Sequence, residues 1–327
     1  MHFLYSGLIL LFLSANIQGQ SLSVSSANAS SSSLKSNIDG KTIVVQEGDG
    51  VIITKGSYNA PSQADPSVKS YSLQNGGVIV RENIANFLVY NSFGKIEKSV
   101  SNSTQSKDGE SISELAADVK GKTVVLYNTK VMSGSKSGSR AKVLGLGQTS
   151  LDVFYSDDRT IRTVRVAESG EFIAIATAKE GTDDEVTIID RYGNQINTIK
   201  FDQEIVGMNL YGSGSTLTVF SNGRVAVYDV LSGNRLGGSS FRDGILRFAN
   251  YSSADKAIIG LTGDINGDRL SNIEVRVINI GASKIAKNNY SGTIQFQDLD
   301  AITLTRTGRF NYTISGMDKD LKIRATF

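Results

Sequence analysis

Along most of this chain, apolar and polar positions alternate with a period of two, not with the three-to-four spacing of an amphipathic helix. Lys41-Thr-Ile-Val-Val-Gln46, Gly77-Val-Ile-Val-Arg81, Thr123-Val-Val-Leu-Tyr127, Phe172-Ile-Ala-Ile-Ala-Thr177 and Arg224-Val-Ala-Val-Tyr228 all set β-branched or aromatic residues among small or polar ones. Gly, Asn, Asp and Ser punctuate these runs, which is the pattern of short strands joined by tight turns. The 33 glycines supply turns, and the two prolines, Pro61 and Pro66, fall together in one loop. One stretch, Ser111 to Val119 (SISELAADV), predicts a short helix.

A unit repeats. Apolar strand residues lead to Asn or Asp, then a turn with Gly, then another apolar residue. It reads Val89-Tyr-Asn91-Ser-Phe-Gly-Lys-Ile96, Ile188-Ile-Asp190-Arg-Tyr-Gly-Asn-Gln-Ile196, Val227-Tyr-Asp229-Val-Leu-Ser-Gly-Asn-Arg-Leu236 and Val277-Ile-Asn279-Ile-Gly-Ala-Ser-Lys-Ile285. A partial copy is Val125-Leu-Tyr-Asn128, and a second turn type lies upstream at Ser169 to Phe172 and Gly212 to Leu217. Each unit thus holds about four strands over roughly 40–50 residues, the spacing of propeller blades.

The unit resembles the β-propeller repeats of WD40-like and quinoprotein-like domains, where a strand–Asp–turn–Gly–strand hairpin forms the outer part of each blade. The Trp-Asp dipeptide and the tryptophan docking motif are missing. The resemblance implies an all-β fold, a six- or seven-bladed β-propeller-like array of four-stranded antiparallel units over residues 40–327. An open stack of β-hairpin layers and a pair of β-sandwiches are the rival architectures. Blades bury each other's faces, and ring closure removes exposed sheet edges. The last strand, Leu321 to Phe327, is placed to pair near Thr42 to Val45.

Residues 1–19 read as a cleaved export signal: an apolar core from Leu8 to Leu13, then small and polar residues, with cleavage after Gly19. Residues 20–39 are Ser-rich and read as a disordered lead-in, because they carry too little apolar surface to offset the entropy of ordering. The expected location is secreted or extracellular, with a bacterial periplasm or cell surface as the alternative. Lys and Arg number 34 against 32 Asp and Glu, which argues against a dedicated nucleic-acid binder.

The single histidine, His2, lies in the leader, and Cys and Trp are both absent. That removes Ser-His-Asp and Cys-His catalysis, His- or Cys-based zinc sites and disulfides. No enzyme is expected. The acidic pairs Asp157-Asp158 and Asp183-Asp184 read as solvated hairpin tips, with a glycosidase-like carboxylate pair as the alternative. Gly145-Leu-Gly147 and Gly212-Ser-Gly214 read as turns, since neither opens a helix that would cradle phosphate. No cofactor is expected apart from Ca²⁺. Its candidate ligands are Asp264, Asn266, Asp268 and Asn272, oxygen side chains at positions one, three, five and nine of a tight loop. This loop resembles the calcium loops of integrin-type propeller repeats, with Arg269 in place of a glycine and Asn272 in place of a carboxylate.

Lys130, Lys136, Arg140 and Lys142 fall in a Ser/Gly stretch that reads as a flexible cationic loop, either simply solvated or docking an anionic surface. Recurrent tyrosines are expected to pack their rings and leave the hydroxyl at a blade edge. Asn28, Asn102, Asn250, Asn289 and Asn311 begin Asn-x-Ser/Thr triplets. The expected function is a secreted, non-catalytic binding or scaffold protein presenting loops to an extracellular or envelope protein or glycan. The alternative is a structural or adhesive matrix protein, similar in composition alone to barnacle cement proteins. A carboxylate-based glycan-active enzyme ranks last. No transmembrane segment is expected.

Overall fold

The computed structural model describes residues 20–28, 35–39, 42–47, 51–57, 69–73, 77–81, 86–91, 95–101, 114–133, 136–144, 151–296 and 302–327. The signal segment 1–19, the Pro61/Pro66 loop, the Gly145–Gly147 cluster and Asn102 lie outside these residues. Among the described residues there is no helix, and the strands form seven antiparallel sheets.

Blade 1 holds β2 (Lys35–Asp39), β3 (Thr42–Glu47) and β4 (Val51–Ser57), counting β1 (Ser21–Asn28) as the first strand of the chain. Blade 2 is β5 (Lys69–Ser72), β6 (Val78–Arg81), β7 (Asn86–Tyr90) and β8 (Ile96–Ser101). Blade 3 is β9 (Glu114–Ala117), β10 (Val124–Ser133), β11 (Lys136–Leu144) and β12 (Leu151–Ser156). Blade 4 is β13 (Thr160–Val166), β14 (Phe172–Ala178), β15 (Asp184–Asp190) and β16 (Gln195–Phe201). Blade 5 is β17 (Gly207–Tyr211), β18 (Thr216–Phe220), β19 (Arg224–Asp229) and β20 (Arg235–Ser240). Blade 6 is β21 (Leu246–Ser252), β22 (Ala257–Asn266), β23 (Arg269–Asn279) and β24 (Lys284–Tyr290), with β25 (Ile294–Gln295) also paired to β23. Blade 7 is β26 (Thr303–Gly308), β27 (Asn311–Ser315) and β28 (Lys319–Thr326), completed by β1.

The period-two pattern explains how blades stack. Successive side chains of a strand point to opposite faces of the sheet. In β14, Ile173 and Ile175 enter the core shared with blade 3, while Ala174 and Ala176 enter the core shared with blade 5. In β19, Ala226 and Tyr228 face blade 4, and Val225 and Val227 face blade 6. Middle strands are therefore buried on both faces: all five residues of β18 are buried. Outer strands such as β16 bury fewer positions. Truncating a doubly enclosed residue such as Ile175 to Ala costs about 3 kcal/mol. This sequence of face-to-face sheets is a β-propeller.

The repeated Asn/Asp turn is the hairpin between the third and fourth strands. In blade 4 the Asp190 carboxylate accepts the backbone N–H of Tyr192 at 2.9 Å and of Asn194 at 2.8 Å. Asp229 accepts from Ser232 N at 2.8 Å, Asn279 from Ala282 N at 3.0 Å, and Asn91 from Lys95 N at 3.0 Å. A side chain that satisfies turn N–H groups is why Asx residues recur there. The partial copy is different: Asn128 sits in β10, the second strand of its blade, and accepts Arg140 N at 2.6 Å beside a register shift.

Four further expectations are corrected. The lead-in is not disordered where it is described: Ser21–Asn28 forms β1, paired antiparallel with β28 from Ser21↔Thr326 to Asn28↔Lys319, and Lys35–Asp39 forms β2. Leu22 and Val24 alternate with serines, so one face of β1 reaches the blade 6/7 core, and Asn288 Nδ2 donates to Leu22 O at 2.7 Å. An existing sheet edge supplies the hydrogen bonds and packing that the isolated segment lacks. By the same pairing, the C-terminal strand closes on Ser21–Asn28; Thr42–Glu47 instead lies between β2 and β4. The expected helix is replaced by strand β9, whose Leu115, Ala116 and Ala117 pair with β10. Finally, the Lys130–Lys142 stretch is no loop: β10 and β11 run through it, with Val131↔Gly138 and Ser133↔Lys136 in register.

Candidate functional site

β22 and β23 are 10 and 11 residues long and run past the rest of blade 6 as a hairpin arm. Asp264 pairs with Ser271, Ile265 with Leu270 and Asn266 with Arg269, leaving Gly267 and Asp268 as a two-residue turn. Gly267 takes φ +61°, the sign a first central residue needs in a II′-type hairpin. β25 pads the arm through Leu270↔Ile294, and both residues are fully buried. The arm is therefore anchored in the core at its middle.

Beside its base lies a cleft of about 480 Å³. Asp243, Asp264, Asn272, Glu274, Asn289 and Tyr290 contribute polar groups to its wall. Asn272 Nδ2 donates to Asp264 Oδ2 at 2.8 Å. Arg276 is hydrogen-bonded to Glu274, lies 3.5 Å from Asp243 and stacks over Phe241 at 5.1 Å; Lys287 lies 3.7 Å from Glu274. The carboxylates are thus partly charge-compensated and still present acceptor oxygens to solvent. Such a wall suits recognition of hydroxyl and amide groups.

Of the four predicted calcium ligands, the structure brings two together, Asp264 and Asn272, and does so through the amide nitrogen of Asn272. No side-chain hydrogen bond engages Asn266 or Asp268, and no cluster of three Asp, Glu, His or Cys with metal-holding geometry occurs among the described residues.

Of the cationic set, the side chains of Lys130 and Lys136 lie outside the described residues. Arg140 lies 3.9 Å from Asp152 and stacks on Tyr155 at 5.4 Å. Lys142 is 2% exposed, with its Nζ 3.7 Å from Asp152. As a strand residue it alternates inward, so the expectation of a surface contact at Lys142 is corrected.

The acidic pairs are split by their surroundings. Asp158 is an exposed tip held by Lys179 at 2.6 Å and Ser156 at 2.9 Å. Asp184 is no tip: it is buried, accepts Ile205 N at 2.8 Å and pairs with Arg162 at 2.9 Å. Tyr90, Tyr127, Tyr228, Tyr251 and Tyr312 are buried, while Tyr155 and Tyr192 are exposed. Among sequon residues, Asn250 is buried and Asn289 is exposed on β24.

Sequence reasoning found Asp264 and Asn272, read Tyr290 as one of the packing tyrosines, and missed Asp243 and Glu274, because the wall is assembled from separate strands. No local signal set Glu274 apart: it falls on the opposite face of β23 from Ile273, Val275 and Val277, where period-two patterning expects a polar residue. A second surface feature is periodic. Ile96, Leu236 and Ile285 occupy the same place in three repeats, at the start of the outer strand, and are 47%, 44% and 48% exposed.

No family model matches the chain, and no curated protein matches it. Solved structures do resemble it. The β-propeller domain of Cps50 (Swd1) from Myceliophteria thermophila is 10% identical, covers 91% of this chain and 98% of that one, and superposes with a TM-score of 0.50. A chain of a mitotic checkpoint complex is 10% identical over 91% of this chain and 88% of that one, with a TM-score of 0.49. Kuenenia stuttgartiensis hydrazine synthase is 14% identical over 78% of each chain, with a TM-score of 0.45. At such identity the likeness to the Swd1 domain speaks to the fold alone.

Proposed function

We propose that this chain is an exported, non-catalytic binding scaffold that holds an extracellular or envelope glycan, or a protein bearing one, against its sixth blade. The cleft beside the β22–β23 arm carries the reading. Carboxylate and amide oxygens of Asp264, Asn272 and Glu274 match the hydroxyl groups of a sugar, and the half-buried Tyr290 ring offers an apolar face beside them. The arm is rigid because Leu270 is locked under β25, so the wall is pre-organised. Ile96, Leu236 and Ile285, exposed at the same strand position in blades 2, 5 and 6, supply separate apolar contact points for a protein partner. Export is supported by the leader-like segment 1–19, and a cysteine-free chain draws its stability from the stacked cores.

The test is capture from envelope or extracellular extracts and on a glycan array, comparing the wild type with Asn272→Ala and Tyr290→Ala. Retention of one glycan class that falls at least tenfold in both variants is expected. Binding indifferent to both changes, or glycan turnover abolished by Glu274→Gln, would overturn it. Assembly into insoluble fibres at high concentration would favour the matrix-protein alternative.

A further inference from the structure

A second concavity, unlike the cleft in its chemistry, lies beside it at the start of β21. It is lined by the first strands of three successive blades: Arg165 of β13, Met208 and Asn209 of β17, and Arg247 of β21. These strands are stitched side by side. Arg165 Nε donates to Met208 O at 3.0 Å, and Asn209 Nδ2 donates to Ala249 O at 2.7 Å. Arg247 Nε donates across its own sheet to Gly263 O at 2.9 Å. Each guanidinium is therefore held by its Nε, which fixes the plane of the fork, and Arg165 is tied further, its Nη1 donating to Val164 O at 3.3 Å.

The floor is apolar and depends on one glycine. A Cβ on Gly207 would sit 2.3 Å from Phe220 Cζ, so the glycine leaves that ring its place in the pocket wall. Leu246 and Phe248 continue the floor, and Val206, 42% exposed, stands at the rim. The volume is about 60 Å³, room for a few waters or one small polyatomic ion and too little for a sugar ring. No Asp or Glu lines it, and Arg247 forms no ion pair among the described residues. A positive pocket with an apolar floor and oriented guanidinium forks is built for planar or tetrahedral oxygen anions.

We propose that this pocket binds a small oxyanion, the carboxylate or phosphate group of a ligand entering the ring, with Arg247 as its fork and Arg165 as the positive charge beside it. The site is independent of the glycan reading and stands if that reading fails.

Thermal unfolding and isothermal titration of the full chain with sodium acetate and with sodium phosphate, each against sodium chloride at matched ionic strength, test it. The expected result is a rise in Tm over chloride for at least one of the two anions. The stronger arm identifies the group as carboxylate or phosphate. Arg247→Gln should weaken binding at least tenfold, while Arg247→Lys retains part of it. Because Arg247 also holds Gly263 O, Val206→Glu is the second variant: it leaves that bond intact and places a competing carboxylate at an exposed rim position. It should abolish the anion effect with an unchanged fold by circular dichroism. Equal response to acetate, phosphate and chloride, or an anion effect that survives both Arg247→Gln and Val206→Glu, would refute the proposal.

Discussion

Two seams between neighbouring blades solve the same packing problem in opposite ways. Between blades 4 and 5 the side chains that meet under the first hairpin are apolar, and their contact depends on closeness. Gly214 turns the first hairpin of blade 5 at φ +86°, and a Cβ there would lie 2.7 Å from Phe172 and 3.0 Å from Ala167. Between blades 6 and 7 the corresponding turns carry side chains, Lys256 at φ +48° and Phe310 at φ +51°. There the gap is bridged by Asp255, whose carboxylate accepts Arg306 Nε and Nη2 at 2.8 and 2.9 Å, Tyr312 OH at 2.9 Å and Phe310 N at 3.2 Å. An apolar seam tolerates small slips. A carboxylate with four donors from the next blade accepts one arrangement, and it also holds Phe310 in a left-handed conformation that L-residues otherwise resist. The directional seam belongs to the blade that joins the two ends of the chain.

The largest effect is expected from Asp255→Ala. It strands Arg306 and the buried Tyr312 hydroxyl without their acceptor and should lower stability by about 3 kcal/mol. Hydrogen exchange should then accelerate chiefly in β1, β27 and β28. Acceleration confined to blades 4 and 5 would show that the seam does not secure closure. Gly214→Ala comes next, at about 2 kcal/mol from a left-handed alanine pressed against Phe172. Its protection losses should stay in β14 to β19 and spare β1.

The smallest effect is a pH dependence carried by one seam alone. Hydrogen bonding from Arg306 holds the Asp255 carboxyl below its ordinary value, against the opposing effect of burial. A carboxyl depressed in the folded state binds fewer protons there than in the unfolded chain, so stability rises with pH across that window. The seam's contribution is present in full above the ordinary carboxylate range and is lost as pH falls through the folded value. Denaturation midpoints should drop below about pH 5 in the wild type and drop less in Asp255→Asn, whereas Gly214→Ala should keep the wild-type slope.

The apolar seam was the more legible in sequence. The turn before Phe172 and the Gly212–Gly214 cluster announce themselves because glycine is the residue that a tight left-handed turn selects. The Asx turns at Asp190, Asp229 and Asn279 were legible for a similar reason: their donors lie within four residues. Lys256 and Phe310 gave no such signal, since neither is a residue that positive φ selects, and the Asp255 carboxylate that holds Phe310 lies some fifty residues away. The same limit hid β1. Its serines say nothing about pairing, and its order comes from an edge formed by β28. The wall of the cleft and the two arginines of the inner pocket are likewise products of strand order, not of spacing along the chain.

The pairing of Ser21 with Thr326 also sets a timetable. The first strand of the ring waits for the last: until Thr326 has left the ribosome, Leu22 and Val24 have no edge to dock on. Six blades can assemble in order as they emerge, but the circle shuts only in a final, long-range event. Moving β1 to follow Phe327 by a short linker would turn that event into a local hairpin, and closure should become faster without any change in the contacts made.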